Sequence, residues 1–255
     1  MASYLPRTCC FQGVKHEGDT TGEFITIDDF EAYIKIPEGE PAKTGIILLT
    51  DILGHRFKNA QLIADKFAAN GYLVLVPDLF YGDPVPLGGS SGLDLQKWLA
   101  GDYHEKKISH TPSVIDPILE KCITEMHTKY SVEKIGSIGY CFGAKYVVRF
   151  LKPGQEKVDV GFVAHPSLVE NEELEAIKGP LAIAAAENDQ MFPAEKRRES
   201  ERTLKSLTFP YMLTLYGGVG HGFALRGDIS NPIVLFAKEN AFLQALQWFD
   251  VHLKA

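Results

Sequence analysis

The feature that most restricts the fold is a series of short, solidly apolar runs separated by segments with helical spacing. Ile46–Leu49, Leu73–Val76, Ile135–Ile138, Val158–Ala164, Leu181–Ala186 and Tyr211–Tyr216 all read as strands. The solid runs lack the in–out alternation of a strand with one wet face, so they predict strands buried on both sides. Ala60–Asn70 reads as a helix between two of them. Asn240–Leu253 reads as an amphipathic closing helix with Phe242, Ala245, Leu246, Phe249 and Leu253 on one face. Earlier in the chain, Phe24–Ile27 and Phe30–Ile36 flank the turn pair Asp28-Asp29 and predict an entry hairpin. The expectation is an α/β fold with a mostly parallel central sheet of about eight strands and helices on both faces. The 255 residues are read as a single domain (1–255), with a Gly/Pro-rich insertion at about 78–112 as a loop or lid.

One strand end carries a chemical signature. Ile135–Ile138 runs into Gly139-Tyr140-Cys141-Phe142-Gly143, after which Ala144, Val147, Val148 and Leu151 recur at helical spacing. A strand, a residue flanked by glycines and then a helix describe a nucleophile elbow, in which a tight turn lifts the central side chain clear of the sheet. Cys141 therefore reads as a nucleophile, and the amide of Phe142, next in the chain, as an oxyanion donor.

A thiol nucleophile needs a base, and the base needs an orienting group. Asp189 follows Leu181–Ala186, and His221 lies in Gly217-Gly218-Val219-Gly220-His221-Gly222-Phe223 after the last strand. The chain order nucleophile, acid, histidine is that of an elbow enzyme. Each residue also falls at the C-terminal end of a strand, where open α/β sheets build their sites.

These motifs resemble the dienelactone hydrolase family of α/β-hydrolases from about Gly22 onward. The resemblance is carried by Gly-Tyr-Cys-Phe-Gly, Asn188-Asp189 with Pro193, His221-Gly222-Phe223 and Pro77-Asp78-Leu79-Phe80. Cys9-Cys10 with His16-Glu17-Gly18 is similar to eukaryotic, particularly fungal, members. The resemblance implies a Cys141-Asp189-His221 triad that hydrolyses small lactones or esters through an acyl-cysteine, without cofactor or metal. It favours the amide of Ile52 as the second oxyanion donor and gives Asp51 a role in holding the thiol proton. Family members carry glutamate where this chain has Asp51. A substrate-binding arginine of the family aligns with Leu225, leaving Arg226 one residue on. Arg226, Tyr81, Phe223 and Trp98 are the candidate substrate contacts. The same constellation also supports lactone isomerisation or acyl transfer in a biosynthetic pathway, and fold alone admits a catalytically silent binding protein.

Composition narrows the partners. A net charge of −7 argues against a nucleic-acid binder, and no apolar run is long enough to span a bilayer. Four cysteines do not make a disulfide framework, and no Cys/His pairs have zinc-site spacing. The expected setting is cytoplasmic, with a small-molecule substrate and a monomeric or homodimeric protein.

Overall fold

The computed structural model describes residues 1–39, 41–154 and 157–254. Eight strands form one sheet: β1 (Glu23–Ile27), β2 (Phe30–Lys35), β3 (Thr44–Leu49), β4 (Leu73–Pro77), β5 (Lys134–Tyr140), β6 (Val160–Ala164), β7 (Leu181–Asn188) and β8 (Tyr211–Gly220). Their spatial order is β1-β2-β4-β3-β5-β6-β7-β8. β2 runs antiparallel to both β1 and β4, and every pair from β4 through β8 is parallel. This is the mostly parallel α/β sheet expected from the apolar runs, in the arrangement that the family resemblance implies. β4 and β6 are buried along their whole length, which is why neither alternates.

Helices cover both faces. On one side α1 (Lys58–Ala68) and α8 (Pro232–Leu253) share a core in which Phe67 meets Phe249 at 5.9 Å between ring centres. On the other, α3 (Pro112–Thr128) and α4 (Gly143–Phe150) pack Ile118, Cys122, Val147 and Phe150 against the sheet. The remaining helices are short or peripheral: α2 (Leu95–Leu99), α5 (Asn171–Glu175), α6 (Ala194–Lys205) and α7 (Phe223–Arg226).

Several sequence boundaries shift: β6 begins at Val160 rather than Val158, β8 runs past Tyr216 to Gly220, and α1 spans Lys58–Ala68 rather than 60–70. α8 starts at Pro232, eight residues before the amphipathic stretch, with the Asn231 side chain accepting from the Ile233 amide at its N-terminus. Its first turns expose Ile233 and Phe236, so no one-sided apolar pattern marks them. The 78–112 stretch holds only α2, and its last residue, Pro112, already belongs to the first turn of α3.

Candidate active site

Cys141 lies between the end of β5 and the start of α4 with φ +50°, a left-handed conformation unusual for a residue with a side chain. Such a conformation costs about 1–3 kcal/mol and persists only where the surroundings over-determine it. Here the Cys141 amide donates to the Ala164 carbonyl at 3.1 Å, and its own carbonyl accepts from the Ser167 amide at 3.0 Å. The Gly143 amide donates to the Thr50 carbonyl at 3.0 Å, which ties the elbow to the loop after β3. The flanking glycines are required by close approach: a Cβ at Gly143 would lie 2.2 Å from the Leu49 carbonyl oxygen, and one at Gly139 2.7 Å from Gly143.

Asp189 follows β7 directly. Its Oδ1 accepts from the amides of Met191 at 2.8 Å and Phe192 at 3.1 Å, leaving Oδ2 to meet His221 Nδ1 at 2.8 Å. Both side chains are nearly inaccessible, at 0 % and 1 % exposure. That contact assigns the Nδ1 proton of His221 and turns Nε2 toward two sulfurs. Cys10 Sγ lies 3.5 Å from His221 Nε2 and 3.5 Å from Cys141 Sγ. Ser167 Oγ is also 3.5 Å from Cys141 Sγ. The donor atoms of Cys10, Cys141 and His221 all fall within 4.8 Å of one another. Metals use donors of these types, but hydrogen bonding among the three already accounts for the grouping.

Cys10, Ser167 and His165 belong to the site although the sequence reading did not place them there. Cys10 arrives on the N-terminal segment, which Arg226 holds by donating from Nη2 to the Cys9 carbonyl (3.1 Å) and from Nε to the Gln12 carbonyl (2.8 Å). The His165 ring is 4.8 Å from that of His221; it is fully buried, and neither of its nitrogens has a hydrogen-bond partner among the described residues. Burial keeps His165 neutral, with a pKa well below the ordinary histidine range. His165 and Ser167 follow β6, and that position at a strand's C-terminal end was their only sequence signal.

The electrostatics favour an ion pair. Burial alone pushes the Cys141 thiol up, but the Cys10 S–H bond and the nearby His221 and Arg226 charges bring it well below the ordinary thiol range. His221 loses basicity through burial, yet the adjoining thiolate and Asp189 raise it to about 10. Cys10 is raised, chiefly because it donates its proton to Cys141. These directions favour a Cys141 thiolate beside a His221 imidazolium, with Cys10 keeping its proton.

The remaining sequence candidates separate. Phe142 sits at the mouth of α4, where helix amides lack intrahelical partners. Ile52 is buried in the adjoining loop, and its carbonyl accepts from the Val85 amide at 2.8 Å. Asp51 is placed otherwise than a thiol-proton holder requires. Its Oδ2 pairs with Arg226 Nη1 and its Oδ1 accepts from the Leu53 amide at 3.0 Å. Burial pushes its carboxyl up to about 6 against the pull of Arg226. Arg226 correspondingly has no guanidinium edge directed at a substrate carboxylate; it is 1 % exposed and engaged by Asp51, Cys9 and Gln12. Trp98 packs 5.9 Å from the Phe142 ring and donates from Nε1 to the Asp83 carbonyl. Phe223 packs against His165 at 5.8 Å. Tyr81 stands apart, lining a cleft of ≈ 790 Å³ with His55, Asp78 and His104 whose lining omits the triad. Among the described residues, no helix is long and apolar enough to cross a membrane.

Comparison with known proteins identifies the family and the fold. Residues 30–253 match the model of the dienelactone hydrolase family. The chain is 51% identical over 254 residues to hydrolase tropI of Talaromyces stipitatus, covering 100% of this chain and 99% of that protein. It is 46% identical to hydrolase pyvD of Aspergillus violaceofuscus, covering 100% of each. Among solved structures, the dienelactone hydrolase of Anabaena variabilis superposes with a TM-score of 0.66 at 13% identity, over 93% of this chain and 99% of that one. At that identity the likeness concerns the fold alone.

Proposed function

The chain belongs to the dienelactone hydrolase family, and on that premise we propose that it hydrolyses small esters or lactones through an acyl-Cys141 intermediate. The observation that carries the reading is Asp189 Oδ2 at 2.8 Å from His221 Nδ1, with Nε2 of the same ring turned toward the elbow sulfur. The Cys141 thiolate attacks the carbonyl carbon, and negative charge passes to the carbonyl oxygen. The amides of Phe142 and Ile52 receive that oxyanion; losing one such donor costs about 2.7–4 kcal/mol in the transition state. His221 gives its Nε2 proton to the departing alkoxide, which in a lactone stays tethered to the acyl group. The neutral imidazole then takes a proton from water, hydroxide attacks the thioester, and the acid leaves as the thiolate–imidazolium pair returns. Asp189 holds the imidazole in one tautomer throughout.

Cys141 is 0% exposed, with Cys10 of the N-terminal segment and Ser167 against its sulfur, so substrate access requires the covering residues to move. The engagement of Arg226 by Asp51 supports an uncharged acyl substrate over one bearing a carboxylate.

The test is intact-mass spectrometry during turnover of p-nitrophenyl acetate and of a panel of neutral lactones. A mass increase of one acyl group that maps to Cys141 and disappears in Cys141→Ala is expected. Undiminished turnover in Cys141→Ala sinks the thiol mechanism.

A further inference from the structure

We propose that Cys10 and Cys141 form a second reactive site, in which Cys141 reduces a hydroperoxide and Cys10 resolves the product as a Cys10–Cys141 disulfide. The two sulfurs are 3.5 Å apart in the reduced protein, already in contact through a thiol hydrogen bond. A disulfide requires a separation of about 2.05 Å, so closure takes a movement of about 1.5 Å. Cys141 is held by the elbow, whereas Cys10 closes a single three-residue helical turn, Thr8–Cys10, on the N-terminal segment. The movement therefore falls to Cys10. His221 Nε2, 3.5 Å from Cys10 Sγ, supplies the acid–base group that both steps need.

The chemistry balances without a cofactor. The Cys141 thiolate attacks the terminal oxygen of the hydroperoxide, the O–O bond breaks, and Cys141 becomes a sulfenic acid. The departing alkoxide takes the Nε2 proton of His221 and leaves as an alcohol, or as water when the oxidant is hydrogen peroxide. His221, now neutral, takes the thiol proton of Cys10. The Cys10 thiolate attacks the Cys141 sulfur, expelling hydroxide, which regains the proton from His221 as water. Two sulfurs have each lost one electron and the peroxide has gained two. Exchange with an external dithiol reverses the link.

The third thiol in reach makes the assignment specific. Cys9 neighbours Cys10 in sequence and its thiol interacts with that of Cys10, with its sulfur 3.9 Å from Met191 Sδ; the thiol in contact with Cys141 is that of Cys10. Cys122 is buried within α3 and packs in the helix–sheet core.

Cross-linking is separable from hydrolysis because its readout is a mass. The reduced protein is treated with two equivalents of hydrogen peroxide, one to form the sulfenic acid and a second to over-oxidise any that is not resolved, then blocked with iodoacetamide, weighed intact and mapped by tandem mass spectrometry. The expected result is a product lighter by two hydrogens and a peptide pair joining Cys10 to Cys141. The link persists in Cys9→Ser and is absent in Cys10→Ser. In Cys10→Ser the unresolved sulfenic acid proceeds to sulfinic acid, which dithiothreitol does not reverse. Esterase activity, each protein measured against its own untreated sample, returns fully with dithiothreitol in wild type and not in Cys10→Ser. Cys10→Ala serves as the second variant should serine disturb the buried site. A wild-type product carrying sulfinic Cys141 and no cross-link, a link to Cys9 alone, or equal recovery in Cys10→Ser would each overturn the proposal. If Cys141→Ala still hydrolyses esters, the acyl-cysteine reading fails while the cross-link in wild type stands.

Discussion

Arg226 pairs with Asp51 where the two side chains are 1 % and 0 % exposed. The pair does two structural jobs at once. Asp51 shapes the loop after β3 through its Oδ1 contact with the Leu53 amide, and Arg226 reaches past it to the Cys9 and Gln12 carbonyls. The loop that carries Ile52 and the segment that carries Cys10 are thereby held by one buried charge pair. Removing one partner of such a pair leaves an unpaired buried charge, which is strongly destabilising.

Arg226→Leu is accordingly expected to lose about 3–5 kcal/mol of unfolding free energy, measured by urea titration. Amide exchange should accelerate at Cys9–Gln12, where the guanidinium contacts are lost. Wild-type exchange across that segment would show that Arg226 does not hold it.

For Asp189→Asn the orientation of the imidazole is lost while the nucleophile and the oxyanion amides stay in place. A fall in kcat of roughly 10⁴-fold with little change in KM is expected, the size of effect found when a triad aspartate becomes asparagine. Steady-state kinetics with an activated ester distinguish this from a folding defect, provided circular dichroism of the variant matches wild type. A loss below tenfold would return the acid role to another carboxylate.

The pH response follows from the Cys141–His221 pair. The Cys141 thiol is depressed, so its thiolate survives as pH falls below the ordinary thiol range. His221, raised to about 10, keeps its proton as pH rises through neutrality. The rate of Cys141 alkylation by iodoacetamide should therefore stay level between about pH 6 and 8. Over the same interval an ordinary thiol of pKa about 8.5 rises nearly tenfold per unit. Peptide mapping at each pH gives the rate, with Cys122, pushed up by burial, as the slow internal reference. A tenfold rise per unit at Cys141 would place the resting sulfur as a thiol.

Gly143→Ala tests the close approach at the elbow. The added methyl lies 2.2 Å from the Leu49 carbonyl oxygen, so β3 and α4 must separate or the elbow must turn. Overpacking of this kind costs about 1–3 kcal/mol. In a chain of this size each kcal/mol lowers Tm by about 2–4 °C. The melting temperature and kcat should fall together, because the displaced backbone carries Cys141 and the Phe142 amide. An unchanged Tm would mean that the elbow yields without strain.

The parts of the molecule legible in the sequence are those encoded by neighbours in the chain. Strands β3 to β7 announce themselves as apolar runs because both faces of each are covered. The elbow shows because glycine is demanded two residues before and two after Cys141. Asp189 and His221 are found because a parallel sheet gathers its strand ends on one edge, so chain order alone places them together. The start of α8 was missed because its first turns expose Ile233 and Phe236, leaving only the Asn231-Pro232 cap as a signal.

The amino-acid sequence by itself determined the sheet, the elbow and the chain order of Cys141, Asp189 and His221, since each depends on local spacing and apolar periodicity. Only the tertiary structure decided what surrounds the thiol. Cys10 and Cys141 are 131 residues apart, and Arg226 and Asp51 are 175 apart. No periodicity or motif reports such distances. Whether a cysteine faces another thiol, or an arginine faces substrate rather than a buried carboxylate, is settled by how the chain's ends fold back over the sheet.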